Sequence, residues 1–191
     1  MVVEYMNRKC QKYYLHQGAT KTGKPKYFFS MKNKGTLVKT IPDGYEIYEN
    51  PNSQVFLQRI QPKIISDEEV AIVDKGMKEF CSLNYYKIDV KKDTIFIYTA
   101  NQDEKNLVEW LSSFRLTKEA DIQKAINNTI TYSTMLKFTL IDEERRIFIT
   151  HRFCFLGSID DWIDIGCPDI LQNLVQKYVK HLGHNSFYEL H

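Results

Sequence analysis

Gly, Pro and Asn cut residues 12–60 into short aromatic and β-branched runs, and a chain punctuated this often reads as strands paired in hairpins. KYYLHQ (12–17) and KYFFSM (26–31) flank a polar turn marked by Gly18, Gly23 and Pro25. YEIYE (45–49) and VFLQRI (55–60) are joined through PNSQ (51–54), a connection of hairpin length. Pro42, Asp43 and Gly44 supply a turn between the two pairs. The first third therefore reads as a small meander of four or five strands.

The pattern changes after Pro62. Ser66 followed by Glu69 is a capping box, and Val70, Val73, Met77, Phe80 and Cys81 then recur at helical spacing. Two short strands follow, YYKIDV (85–90) and TIFIYT (94–99), joined by a Lys-Lys-Asp turn. Residues 103–114 place Leu107, Trp110, Leu111 and Phe114 on one helical face. A further helix over 118–128 follows Thr117 as its N-cap and carries Ile122, Ala125 and Ile126. A hairpin spans about 134–155 with its turn at Asp142–Arg145, and a last helix is expected from Pro168 to Gly183. No internal repeat at a fixed period stands out.

The fold expected is α+β: a small β-rich N-terminal meander, then a mixed module of antiparallel hairpins and about four helices. The expected division is 1–61, a basic β-rich module, and 62–191, an α+β module, with one continuous domain as the alternative.

The charge follows the same division. Residues 1–63 hold 11 basic and 4 acidic side chains, and residues 64–191 hold 15 and 20. Between Arg8 and Lys39 there are nine basic residues and no acidic one. Phosphate backbones are bound by such cations, and unpaired bases stack on aromatic rings. Arg8, Lys9, Lys12, Lys21, Lys24, Lys26, Lys32 and Lys34, interleaved with Tyr14 and Phe28, are thus the candidate contacts to nucleic acid or another polyanion. Lysine outnumbers arginine eight to one in residues 8–39, which suits phosphate contact better than base reading.

Other chemistry has less behind it. Asp160, Asp161, Asp164 and Asp169 cluster in GSIDDWIDIGCPD, read as an acidic loop whose plain role is turn and cap formation. Asp89-Val90-Lys91 is an acidic-x-Lys triplet of the kind found in metal-dependent nucleases, with Asp74 or Asp43 as an upstream partner. His181 and His184 straddle the end of the last helix without a third ligand in register. His151 shares a strand face with Ile149 and Phe153. Cys10, Cys81, Cys154 and Cys167 are widely spaced and read as free thiols.

No secretory signal or membrane-spanning run is evident, so a cytoplasmic protein without cofactor is expected. The leading functional expectation is a non-enzymatic binding protein whose N-terminal strands contact nucleic acid or another polyanion. The alternatives are a metal-dependent nuclease and a protein–protein interaction module.

Overall fold

A computed structural model describes residues 2–102, 125–126, 128–156 and 159–191. Strands take up 44% of the described residues and helices 21%, so the protein is mostly β, in three antiparallel sheets. This corrects the expectation of an α+β protein with about four helices. Among the described residues there are two α-helices, α1 (Asp67–Phe80) and α2 (Leu171–Tyr178). The helices expected over 103–114 and most of 118–128 lie outside the described residues. Contacts divide the described chain into two units: residues up to Gln61 with Gln102 and the stretch up to Thr131, and residues 62–101 with 132–191. Among the described residues no helix is long and apolar enough to cross a membrane.

The first unit holds β1 (Glu4–Met6), β2 (Lys12–Ala19) and β3 (Pro25–Ser30) in one sheet, and β4 (Tyr45–Glu49) with β5 (Val55–Arg59) as a hairpin. The β1–β2 and β4–β5 turns are duplicates. Each is an Asn-x-x-x-Gln pentapeptide, Asn7–Gln11 and Asn50–Gln54. In each, the Asn N–H donates to the Gln carbonyl at 3.0 Å and the Asn carbonyl accepts from the fourth residue at 2.9 Å. The Asn side-chain oxygen accepts from two backbone N–H groups, and its amide donates to the Gln side chain. The fourth residue, Cys10 or Ser53, takes the left-handed conformation at φ 57° or 64°. That geometry is the three-residue hairpin loop with a terminal bulge. The repeat escapes a sequence search because only its two polar end residues are identical.

The two tips also clasp each other. Asn7 Nδ2 donates to the Ser53 carbonyl at 2.8 Å. Glu49 accepts from the Arg8 backbone N–H at 3.0 Å, the Arg8 Nε at 2.7 Å and the Tyr5 hydroxyl at 3.0 Å. Arg8 also donates to the Asn50 carbonyl. Burial by itself would raise the Glu49 carboxyl, but the two Arg8 donors and Tyr5 together hold it below its ordinary value.

The second unit is a five-stranded meander ordered β10-β9-β8-β7-β6, with β6 (Tyr86–Lys91), β7 (Thr94–Ala100), β8 (Tyr132–Asp142), β9 (Ile147–Leu156) and β10 (Ile159–Ile170). One face packs on α1 and α2 through Val73, Met77, Ile97, Phe138, Ile165 and Leu174, all buried. Helix α1 starts as its sequence requires: Ser66 and Glu69 form the reciprocal capping box. The Glu69 carboxylate also accepts from Arg146 in the β8–β9 turn, whose guanidinium reaches the Ile64 carbonyl at 3.2 Å. The turn and the helix start are thereby joined.

Two corrections fall at the end of the chain. The segment read as an acidic loop is β10, paired with β9 from Ile159↔Leu156 to Ile170↔Ile147. Its carboxylates obscured the alternation of Trp162 and Asp164 with Ile163 and Ile165. On an edge strand such charges stay hydrated and discourage pairing with another chain. Pro168 belongs to the register shift between Ile165 and Asp169 in β10, where a missing N–H does no harm; α2 begins at Leu171. A short 3-10 turn, Val179–His181, follows α2.

Helices α1 and α2 meet where α1 has no side chain. A Cβ placed on Gly76 would come 2.1 Å from Val175 Cγ1. Alanine is the better helix former by about 1 kcal/mol, but overpacking costs about 1–3 kcal/mol. Gly76→Ala is therefore expected to lower stability by about 1–2 kcal/mol in urea unfolding. Combined with Val175→Ala, the loss should be smaller than the sum of the single changes by about 0.5 kcal/mol or more. Strict additivity would show that the two helices do not meet at this point.

Candidate nucleic-acid interface

Strand alternation gives β2 and β3 two faces. Leu15, opposite Phe29, is fully buried, and Gln17 lies opposite Tyr27, whose ring sits 6.3 Å from that of Tyr45. This is the packed face. The register Tyr14↔Ser30, His16↔Phe28 and Gly18↔Lys26 assembles the other one.

That second face is built around His16. Beyond β3 the chain crosses over it, because Thr36 and Val38 pair with β2 on the side away from β3: Gln17 N–H donates to Thr36 at 3.0 Å and Val38 N–H to Leu15 at 2.9 Å. The crossover passes over the imidazole, whose Nε2 donates to the Lys32 carbonyl at 2.8 Å. His16 is left only 5% exposed, and its ring stacks on Phe28 with centroids 5.3 Å apart and 12° between planes. Phe28 itself stays 43% exposed. Lys32 and Lys34 ride on the crossover, on the side of the sheet that carries Lys26 and Phe28, and Lys21 and Lys24 occupy the β2–β3 turn.

The ten residues singled out from sequence fall into two sets. Arg8 is bound to Glu49, Lys12 Nζ pairs with Glu4 at 2.9 Å, and Lys9 Nζ donates to the Asn128 carbonyl at 3.1 Å. These three serve the unit itself. Lys21, Lys24, Lys26, Lys32 and Lys34 are exposed, and none has an ion-pair partner among the described residues. Tyr14 and Phe28 share the face with Lys26. His16, absent from the candidate set, supports the aromatic ring. Its position opposite Phe28 follows from hairpin register, which the turn length alone does not settle.

The carboxylates of the second unit are dispersed. A row crosses all five strands on the face away from the helices: Asp89, Phe96, Lys137, His151 and Asp164. Asp89 and Asp164 stand at its two ends, four inter-strand spacings of about 4.8 Å apart. Asp74 lies on α1, on the opposite side of the sheet, and accepts from the Tyr86 hydroxyl at 3.0 Å and from Lys78. Asp89 lies 3.7 Å from Lys91. Asp43 belongs to the first unit. Asp169 caps locally, bonding the Ile170 N–H at 2.7 Å and Asn173 at 2.9 Å. Among the described residues no three His, Cys, Asp or Glu side chains gather to hold a metal ion. His184 bonds Ser82 at 3.1 Å and His181 bonds Ser186 at 2.9 Å. No disulfide joins the four cysteines.

No protein-family model, characterised protein or solved structure matches this chain.

The same face also carries an aromatic cluster. Trp162 packs against Phe153 at 5.1 Å and Phe96 at 6.1 Å, and Lys137 Nζ lies 4.6 Å from its ring. Burial pushes the Lys137 ammonium down, against the pull of Asp161, Asp164 and Asp93. Burial and then Lys137 push His151 down as well, although its Nε2 sits 2.9 Å from Asp164. Asp164 loses that contest because its side chain is 67% exposed and screened by water, whereas the imidazole is 15% exposed. A histidine whose pKa is lower folded than unfolded favours protons on the unfolded chain. Stability should therefore fall as pH drops from about 6.5 through the folded pKa. Thermal unfolding between neutral and mildly acid pH should show this loss, and His151→Gln should flatten the slope there. An unchanged slope in the variant would assign it to other groups.

Proposed function

We propose that the first unit binds the phosphate backbone of a nucleic acid through Lys21, Lys24, Lys26, Lys32 and Lys34. The observation that carries this reading is the contrast within the basic run. Arg8, Lys9 and Lys12 have intramolecular partners, while these five lysines, on one hairpin and its crossover, have no ion-pair partner among the described residues. A folded unit gains nothing from holding five like charges together, and a polyanion neutralises them with release of its counterions. Lysine is a point charge without the planar fork of arginine, so the contact would be to phosphate and largely independent of sequence. A cytoplasmic setting, where nucleic acid is accessible, fits this reading. The nuclease alternative has less support, since Asp74 and Asp89 lie on opposite sides of one sheet.

Five phosphate contacts imply a log–log salt slope of about −4.5 for duplex DNA and about −3.5 for a single strand. Fluorescence anisotropy with labelled oligonucleotides across a salt series measures it. Charge reversal at Lys24, Lys26 and Lys32 together should weaken binding at least tenfold and reduce the slope by about 3. Lys180→Glu, in the other unit, should leave both unchanged. Absence of binding at low salt, or equal loss from the two sets of changes, contradicts the proposal.

A further inference from the structure

The geometry points to a single-stranded ligand, one of whose bases stacks on Phe28; this inference rests on the nucleic-acid reading above. A duplex keeps its bases stacked inside and offers a protein surface phosphates, sugars and groove edges. Lysines alone suffice for such a backbone. An exposed aromatic ring among them finds a partner only when a base is free to leave its own stack.

Phe28 is built as a platform. Its ring is 43% exposed, yet its orientation is set from below by the parallel imidazole of His16, 5.3 Å away. The imidazole is in turn held by the Lys32 carbonyl and buried under the crossover. On the neighbouring strand the chain has Gly18, and a Cβ there would already stand 3.5 Å from Phe28 Cε1. A side chain longer than alanine at that position would crowd the ring. Lys24 and Lys26 lie toward the hairpin tip from Phe28, and Lys32 and Lys34 lie on the crossover beyond the other end of β3. A strand laid along β3 would meet positive charge on both sides of the ring. The stack on His16 also means that the ring has little rotamer freedom left to lose on binding.

The test compares a short oligothymidylate with a hairpin duplex of the same nucleotide count, both by fluorescence anisotropy on the full chain at one low salt concentration. The wild-type protein should bind the single strand more tightly. Phe28→Ala should weaken single-strand binding about tenfold and duplex binding by less than about twofold, and Phe28→Tyr should restore the former. Circular dichroism of each variant excludes unfolding as the cause, and Phe28→Tyr keeps the comparison valid if the alanine variant is poorly folded. If the wild type prefers the duplex, or if Phe28→Ala matches wild type while lysine reversal abolishes binding, the stacking inference is overturned and the phosphate reading stands. If the folded wild type binds neither probe, the phosphate reading fails, and this inference with it.

Discussion

Glu49 is the residue on which the first unit is organised. Among the described residues it is the only acidic group that the two hairpin tips share, and three donors from Tyr5 and Arg8 converge on it. A buried carboxylate is stable only when its oxygens are satisfied, so the tips must meet in one way. The same contact decides which cations remain for a ligand. Arg8 is taken by Glu49 and Lys12 by Glu4, and the charge left over is concentrated on the β2–β3 hairpin and the crossover. The proposed interface is thus what remains of a basic segment after its own fold has used the first members.

The crossover adds the second condition. Because 36–38 must reach the far side of β2, the chain between Met31 and Gly35 passes over His16 and buries it. Burying an imidazole without a partner would be unfavourable, and the Lys32 carbonyl supplies one. One backbone path therefore places two lysines and fixes the ring beneath Phe28. In the second unit a comparable economy appears at Glu69, which caps α1 and receives Arg146 from the β8–β9 turn.

Local chemistry was legible wherever it acts through neighbours in sequence. The turns, the hairpins from Lys12 onward and the Ser66–Glu69 capping box follow from residue type and spacing alone. The strand β10 did not, because its aspartates match turn composition and its pairing depends on β9 lying beside it. Pro168 suggested a helix start, and only the register shift explains its place in a strand. At the candidate site, the run of lysines was visible but its partition was not. That Arg8 and Lys12 are paired is a matter of Glu49 and Glu4 approaching through the fold. The duplication of the Asn-x-x-x-Gln turns is recognisable once the hydrogen bonds are seen, since the intervening residues share no chemistry.

Ligand contact is proposed to be confined to the exposed face of β2 and β3 with its crossover. Backbone amide chemical shifts of the labelled protein, followed during titration with a short oligothymidylate, test it most directly. Graded shifts are expected for residues about 18–35, with Phe28 and its neighbours prominent, and little change on the Lys137–His151–Trp162 face of the second unit. Shifts concentrated on that second face, with the hairpin unmoved, would contradict it.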